Sequence, residues 1–162
     1  MEWLIFALLS AVFAAAVAIL SKIGLEDVDS TLATGVRATV MFVFMFLVLV
    51  FTKKLPDITT LNRKAVFYII LAGVAGALSW IFYFWALKSG EASKVAPIDK
   101  LSVVFVIIFA VLFLGEKLTV KLGLGTLLIT LGSLLIVLEK VVYKVPLGIL
   151  IIFLGIILIV LV

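Results

Sequence analysis

Long apolar runs alternate with short polar breaks along the whole chain. The first five runs cover about residues 3–23, 31–51, 65–88, 97–114 and 120–138, and a shorter sixth run covers 146–162. Each of the first five is long enough to cross a hydrocarbon core of about 30 Å as a helix. The pattern therefore predicts an all-α, polytopic membrane helix bundle with five spans. For the sixth run we predict a further crossing, with a tilted packing helix as the alternative.

The composition favours burial in lipid over a soluble core. Of the 162 residues, 67% are hydrophobic, and the mean hydropathy is +1.50. A soluble domain averages about 45–50% apolar residues. We therefore expect a multi-pass integral membrane protein of the cell membrane, with the lipid bilayer as a partner. Ala16-Val-Ala18 loosely resembles a signal-peptidase site, but no positive segment precedes it, and we interpret it as a small-residue helix face.

The charged residues exclude several functions. The net charge is +4 at pH 7, and most lysines and arginines lie in the polar breaks, where they anchor helix ends at the membrane surface. The sequence has no basic stripe with interleaved aromatics, so we expect no nucleic-acid partner. It also contains no Cys and no His, which removes thiol nucleophiles, disulfides and most transition-metal sites. We predict no cofactor, no metal site and no enzymatic activity.

Three ionisable residues enter the apolar runs. Arg37 lies about two turns into the second run, and Asp99 and Lys100 lie near the start of the fourth. Such groups are costly inside a membrane and are functional-site candidates by default. The alternative for Arg37 is snorkelling toward the interface. The alternative for Asp99 is structural, because Pro97 suits a first helical turn and a nearby carboxylate would complement the positive helix end. Lys100 has no such explanation, because a cation is not stabilised by the positive end of a helix.

An aromatic segment at residues 79–85 ends the third run and contributes Ser79, Trp80 and Tyr83. It forms either a cavity wall or an interfacial belt. Because successive loops alternate between the membrane faces, the end of this run shares one face with the starts of the second and fourth. We predict a polar pocket at that face, in which Arg37 pairs with Asp99. The substrate-binding candidates are Arg37, Ser79, Trp80, Tyr83, Asp99 and Lys100.

Four further residues are predicted to have structural roles. Pro97 begins the fourth helix, and Glu116 caps or clamps the hairpin between the fourth and fifth spans. Gly125 and Gly132 lie seven residues apart on one face of the fifth span, which permits close helix packing. The two membrane faces carry nearly equal numbers of basic residues. This weak bias permits insertion in both orientations, and so an antiparallel homodimer.

An ordered set of small and apolar residues carries a family resemblance: Tyr83, Ala86-Leu87, Gly90, Ala92, Ala96, Leu101, Leu114-Gly115-Glu116, Leu118-Thr119, Gly125 and Gly132. With them, residues 80–138 resemble one repeat of the EamA family in the drug/metabolite transporter superfamily, and the likeness extends more loosely to Met1. The resemblance implies two inverted five-span repeats around a central cavity, hence a homodimer or a partner half. Residues 1–139 would form the EamA-like five-helix repeat. Residues 140–162 would form an additional transmembrane helix outside that pattern.

These observations lead to one function and two alternatives. We expect a half-transporter for a small metabolite or drug-like compound that works as a dimer by alternating access. Asp99 is the carboxylate best placed for proton coupling, followed by Glu116. One alternative is a non-transporting membrane assembly or regulatory subunit. The other is translocation of a lipid or lipid carrier, which would enter sideways from the bilayer.

Overall fold

The computed structural model describes residues 2–138 and 145–160, and these residues are helical without any strand. The all-α prediction is therefore confirmed. A short 3₁₀ helix at Pro56–Thr60 connects the second and third helices, and a π-helical turn at Ala110–Leu114 continues the fifth. The α-helices are α1 (Glu2–Gly24), α2 (Ser30–Phe51), α3 (Arg63–Ser89), α4 (Ala92–Asp99), α5 (Ser102–Phe109), α6 (Val120–Val137) and α7 (Val145–Val160).

Five stretches are long and apolar enough to cross a membrane. They are α1, α2, α3, the segment Ala92–Leu114 that contains α4 and α5, and α6. Large apolar side chains are exposed along all of them, as expected where lipid takes the place of water. Helix α7 has 16 residues, fewer than the roughly 20 that a crossing needs. Its crossing stays a prediction, and the predicted end of this run at residue 162 lies outside the described residues.

Polar side chains begin three of these helices. The carboxylate of Asp29 accepts hydrogen bonds from the backbone N–H groups of Thr31 and Leu32, both at 2.9 Å. Asn62 caps α3 and Thr119 caps α6 in the same way. Such caps satisfy N–H groups that have no partner within the helix. The polar breaks in the sequence therefore supply the side chains that cap these three spans.

The helices form two compact units, Met1–Gly90 and Glu91–Val162. In the first unit, α3 packs against α1 and α2. In the second, α4, α5 and α7 pack against α6. The predicted division into residues 1–139 and 140–162 falls at positions outside the described residues, and it stays a prediction.

The start of the fourth span differs from the prediction. The helix begins at Ala92, so Pro97 is inside α4 instead of beginning it, and Asp99 is the last residue of α4. Residues 92–96 are mostly good helix formers, and they extend the helix ahead of the proline. Asp99 is therefore not in the first turn of the helix that contains Pro97, and the position predicted for both residues is wrong.

A break follows directly after Asp99. The N–H groups of Lys100 and Leu101 donate to the carbonyls of Pro97 and Ile98, three residues earlier, at 3.1 and 2.9 Å. Lys100 and Leu101 keep right-handed helical backbone angles, so the chain continues in the same sense through a tighter turn. Pro97 also lacks the N–H that a continuous helix would use. The fourth span is therefore a discontinuous helix with its break beside the Asp99–Lys100 pair.

Helices α6 and α7 carry one packing pattern twice. In each helix a glycine is followed by an isoleucine four residues later, and both recur after seven residues: Gly125, Ile129, Gly132 and Ile136 in α6; Gly148, Ile152, Gly155 and Ile159 in α7. The two helices run antiparallel, so that Gly125 meets Gly155 and Gly132 meets Gly148. A Cβ atom at Gly132 would lie 2.6 Å from Cγ1 of Ile152 and 2.9 Å from the carbonyl oxygen of Gly148. The backbones touch because each glycine leaves room for the opposite helix.

We predict that Gly132→Val destabilises the protein by about 1–3 kcal/mol, since the added side chain overpacks the contact between α6 and α7. Gly123→Val is the matched control, because a Cβ at Gly123 meets nothing within 4 Å. Both variants place a valine in α6, so any effect of valine on helix propensity is the same in the two. The measurement is the thermal unfolding midpoint of each variant in detergent. Equal midpoints for the two variants would contradict this packing.

Candidate functional site

The carboxyl ends of α1 and α3 lie side by side, and each is capped by a lysine from the other helix. The ammonium group of Lys22 donates to the carbonyl oxygens of Leu87 and Gly90 at 2.6 and 2.8 Å. The ammonium group of Lys88 donates to those of Leu25 and Glu26 at 2.5 and 2.9 Å. Leu87 is in the last turn of α3, and the other three carbonyls lie directly after the helices, at the negative ends of their dipoles, where an ammonium group is favourable. We call this pair of lysines and their four carbonyls the lysine clamp.

The start of α2 is attached to the same end of the first unit. The indole N–H of Trp85 in α3 reaches the hydroxyl of Thr31 in α2 at 3.4 Å. Thr34, one turn further on, is buried and donates its hydroxyl hydrogen to the Ser30 carbonyl at 2.7 Å. The lysine clamp holds α1 and the loop after it on the end of α3, and the contact between Trp85 and Thr31 joins α2 to α3. Arg37 of α2 lies opposite the aromatic segment of α3.

Arg37 lies flat on an aromatic ring. Its guanidinium carbon is 3.4 Å from the ring centroid of Trp80 and 5.9 Å from that of Phe84. Trp80 also contacts Tyr83 and Phe84 edge to face, with centroids 5.4 and 6.0 Å apart. Cation–π contacts of this kind contribute about 0.5–2 kcal/mol, more where water is excluded. Among the described residues, the guanidinium has no hydrogen-bond or ion-pair partner.

Arg37 also lies on the wall of an apolar cavity of about 520 Å³ in the first unit. Volumes of about 300–1,000 Å³ are typical of sites for drug-sized ligands. Within the described part of the chain, Arg37 is the one charged residue on this wall. The wall is formed by α1, the loop after it, α2 and one residue of α3: Val17, Leu20, Ser21, Gly24, Val28, Leu32, Ala33, Val36, Arg37 and Phe84.

The structure brings together part of the predicted site. Arg37, Trp80 and Tyr83 form one cluster in the first unit. Ser79 lies on α3 next to Trp80 but is exposed and is not on the cavity wall. Asp99 and Lys100 belong to the second unit and form an ion pair with each other at 3.1 Å. The pairing of Arg37 with Asp99 would join the two units, and it stays a prediction.

The turn before α6 is held by its backbone. Gly115 adopts a left-handed conformation with φ of 68°, which suits glycine. The N–H groups of Gly115 and Glu116 both donate to the carbonyl of Ala110. The Glu116 side chain is exposed and makes no hydrogen bond or ion pair with any described residue. A clamping role for that carboxylate stays a prediction.

Sequence reasoning missed the lysine clamp and the apolar wall. As lysines in the polar breaks, Lys22 and Lys88 are predicted by the sequence only to be surface anchors, although each lies in the last turn of a helix. Basic residues there are known to bind terminal carbonyls, so the signal was present. Phe84 carried no such signal, because only the fold buries it and distinguishes it from the other 12 of the 13 phenylalanines.

Comparison with known proteins places this arrangement in a family. The model of the EamA-like transporter family matches residues 1–138. The chain belongs to the EamA-like transporter family. It is 40% identical over 132 residues to an uncharacterized transporter in the cobO 3′ region of Sinorhizobium sp., covering 82% of this chain and 94% of the relative. The EamA-like chain is thus a multi-pass integral membrane transporter.

A more distant relative of this EamA-like chain comes from Methanocaldococcus jannaschii. This uncharacterized protein is 29% identical over 93 residues, which cover 57% of the chain and 68% of the relative. No solved structure was found to be similar. The family match ends at residue 138, so α7 lies beyond it.

We predict that Lys22→Met and Lys88→Met each destabilise the first unit by about 1.5–3 kcal/mol, because each removes charged hydrogen bonds to two terminal carbonyls. Lys54→Met is the control, since Lys54 is exposed and makes no side-chain hydrogen bond to the described residues. Thermal midpoints in detergent measure the effect. If the three variants unfold together, the lysine clamp contributes nothing to stability.

Proposed function

We propose that this chain is half of a transporter that moves a small metabolite or drug-like compound across the cell membrane. In this proposal a homodimer completes the pathway and works by alternating access. Membership in the EamA-like transporter family supports the transport function. The observation that carries the proposal is the cavity of about 520 Å³ at Arg37, whose size suits a small molecule. The Arg37 guanidinium stacks on Trp80 but has no hydrogen-bond or ion-pair partner among the described residues.

The dimer is proposed because one chain supplies one of the two repeats that the transporter fold needs. Many secondary transporters place the substrate between two repeats of inverted topology, near the middle of the membrane. This chain has five stretches able to cross, which is one repeat of the EamA pattern. A second copy inserted the other way up would supply the inverted repeat. The nearly equal numbers of basic residues on the two faces permit both orientations.

The discontinuous fourth span is our candidate for the moving part. Transporter helices are often broken near their substrate and ion sites, because freed backbone groups there line a cavity. The break lies at Lys100 and Leu101, and the ion pair of Asp99 with Lys100 is partly exposed. The π-helical turn at the other end of the span gives it a second irregular segment, a feature frequent at functional sites. Asp99 is the carboxylate best placed to carry a coupled proton in this proposal.

The transport hypothesis is tested in proteoliposomes with a panel of labelled compounds: amino acids, a nucleoside, a medium-chain carboxylate and ethidium. We expect at least one compound to exchange faster than in protein-free liposomes, and Arg37→Gln to abolish that exchange while the helix content stays normal. Arg63→Gln is the control, because Arg63 is an exposed arginine at the start of α3. Exchange no faster than in empty liposomes for the whole panel would favour a non-transporting assembly subunit.

The antiparallel dimer is tested by labelling, since the chain contains no Cys. Single cysteines replace Asp27 and, separately, Thr60, two exposed positions in consecutive breaks of the first unit. We expect an impermeant thiol reagent to label about half of the molecules at each site in intact cells, because a weak charge bias permits both orientations. Complete labelling of Asp27→Cys with none of Thr60→Cys would mean one orientation. In that case a dimer of antiparallel copies does not form.

A further inference from the structure

We propose that the cavity at Arg37 binds an amphipathic anion, whose carboxylate or phosphate group pairs with Arg37 and whose hydrocarbon part fills the apolar wall. This names the substrate class of the site under the proposed function and rests on that proposal. The ligand is neither a cation nor a zwitterionic amino acid. Three features of the site lead to this assignment: the orientation of the guanidinium, the chemistry of the wall and the exposure of its outer edge.

The guanidinium presents its donors to one kind of group. One flat face of Arg37 is covered by Trp80 at 3.4 Å. The N–H donors of a guanidinium lie in its plane, so stacking leaves them available at the edge. No described residue accepts from them. The geometry of such a fork matches two oxygens of a carboxylate or phosphate, which it binds through parallel hydrogen bonds.

The residues that line the cavity disfavour a ligand with a positive charge. Among the described lining residues there is no Asp or Glu that could balance a ligand cation, and Arg37 itself would repel one. Ser21 is the one uncharged polar side chain in that set, and a hydroxyl is a poor partner for the ammonium group of an amino acid. A neutral apolar ligand would leave the arginine donors without a partner in an apolar surrounding, which is unfavourable. An anion with an apolar tail satisfies both parts of the cavity.

The outer edge of the cavity lies on the apolar surface of the first unit. Leu20, Leu32 and Val36 line the cavity and are nevertheless 67%, 61% and 57% exposed. A hydrocarbon chain in the cavity therefore continues onto surface that has the polarity of the bilayer interior. The anionic group can belong to a free amphiphile or to a membrane lipid. The experiment separates these two sources.

Trp80 is a built-in reporter, because it touches Arg37 and bromine atoms quench nearby tryptophan fluorescence. The other two tryptophans, Trp3 and Trp85, are exposed. Trp3→Phe removes one of them, and Trp85 is kept because it contacts Thr31. The quenching of Trp80 is then the difference between this protein and the same protein with Trp80→Phe. This protein is placed in phosphatidylcholine nanodiscs and titrated with 2-bromodecanoate, 2-bromodecanol and (2-bromodecyl)trimethylammonium, whose bromine lies next to the head group and so near Trp80. A second arm compares brominated phosphatidic acid with brominated phosphatidylcholine in the disc.

We expect saturable quenching by 2-bromodecanoate at concentrations at least about tenfold lower than for the alcohol and the ammonium compound, since hydrogen bonds to charged groups contribute at least this factor. Arg37→Gln should abolish the preference, Arg37→Lys should keep part of it, and Arg63→Gln should leave it unchanged. A preference for brominated phosphatidic acid that Arg37→Gln removes would assign the anion to a lipid. A preference for the carboxylate alone would assign it to a free amphiphile.

Two results would overturn the inference. One is equal or stronger quenching by the ammonium compound. The other is an anion preference that persists in Arg37→Gln with normal helix content. Binding in nanodiscs does not require transport, so the two proposals fail separately. If 2-bromodecanoate binds but nothing crosses proteoliposomes, the site stands and transport fails. If other compounds cross but no anion preference is seen, transport stands and the amphipathic anion is wrong.

Discussion

Every backbone N–H and C=O group of a chain in lipid must find a partner within the protein, and the structure depends on that constraint. Helices satisfy it in their interiors but leave unpaired groups at both ends. In the first unit, Asp29 and Asn62 satisfy the amino ends of α2 and α3. The lysine clamp satisfies the carboxyl ends of α1 and α3 with Lys22 and Lys88, each acting on the other helix. The same bonds that complete two helices also join them.

The second unit relies on close packing. The hydrophobic effect gives apolar helices little reason to associate in lipid, so close van der Waals contact has to hold them together. The repeated spacing of glycine and isoleucine lets α6 and α7 approach until backbone meets backbone. The four isoleucines fill the space beside the glycines. Helix α7, which lies beyond the residues matched by the family model, is the partner of the glycine face of α6.

The contacts between α1, α2 and α3 determine where the residues of the candidate site lie. The lysine clamp joins α1 to α3, the contact between Trp85 and Thr31 joins α2 to α3, and Arg37 of α2 lies on Trp80 of α3. A guanidinium stacked on an indole is held without an ion pair, which leaves its donors for a ligand. The cavity beside it is apolar because the helices that line it are membrane spans, which consist mostly of apolar residues. The positive charge of Arg37 therefore lies on the wall of an apolar cavity.

The sequence by itself determined the class of fold, the five spans and several helix caps, because apolar length and local capping chemistry are properties of neighbouring residues. It also singled out Arg37, Trp80 and Tyr83, which the structure brings together. It misplaced the start of the fourth helix, because helix propensity at residues 92–96 outweighed the usual preference of Pro97 for a first turn. Only the tertiary structure decided that Lys22 and Lys88 cap each other's helix, and that Phe84 lines a cavity with Arg37. These features join residues as many as 68 positions apart, and the distance between such residues depends on how helices pack, which no local pattern records.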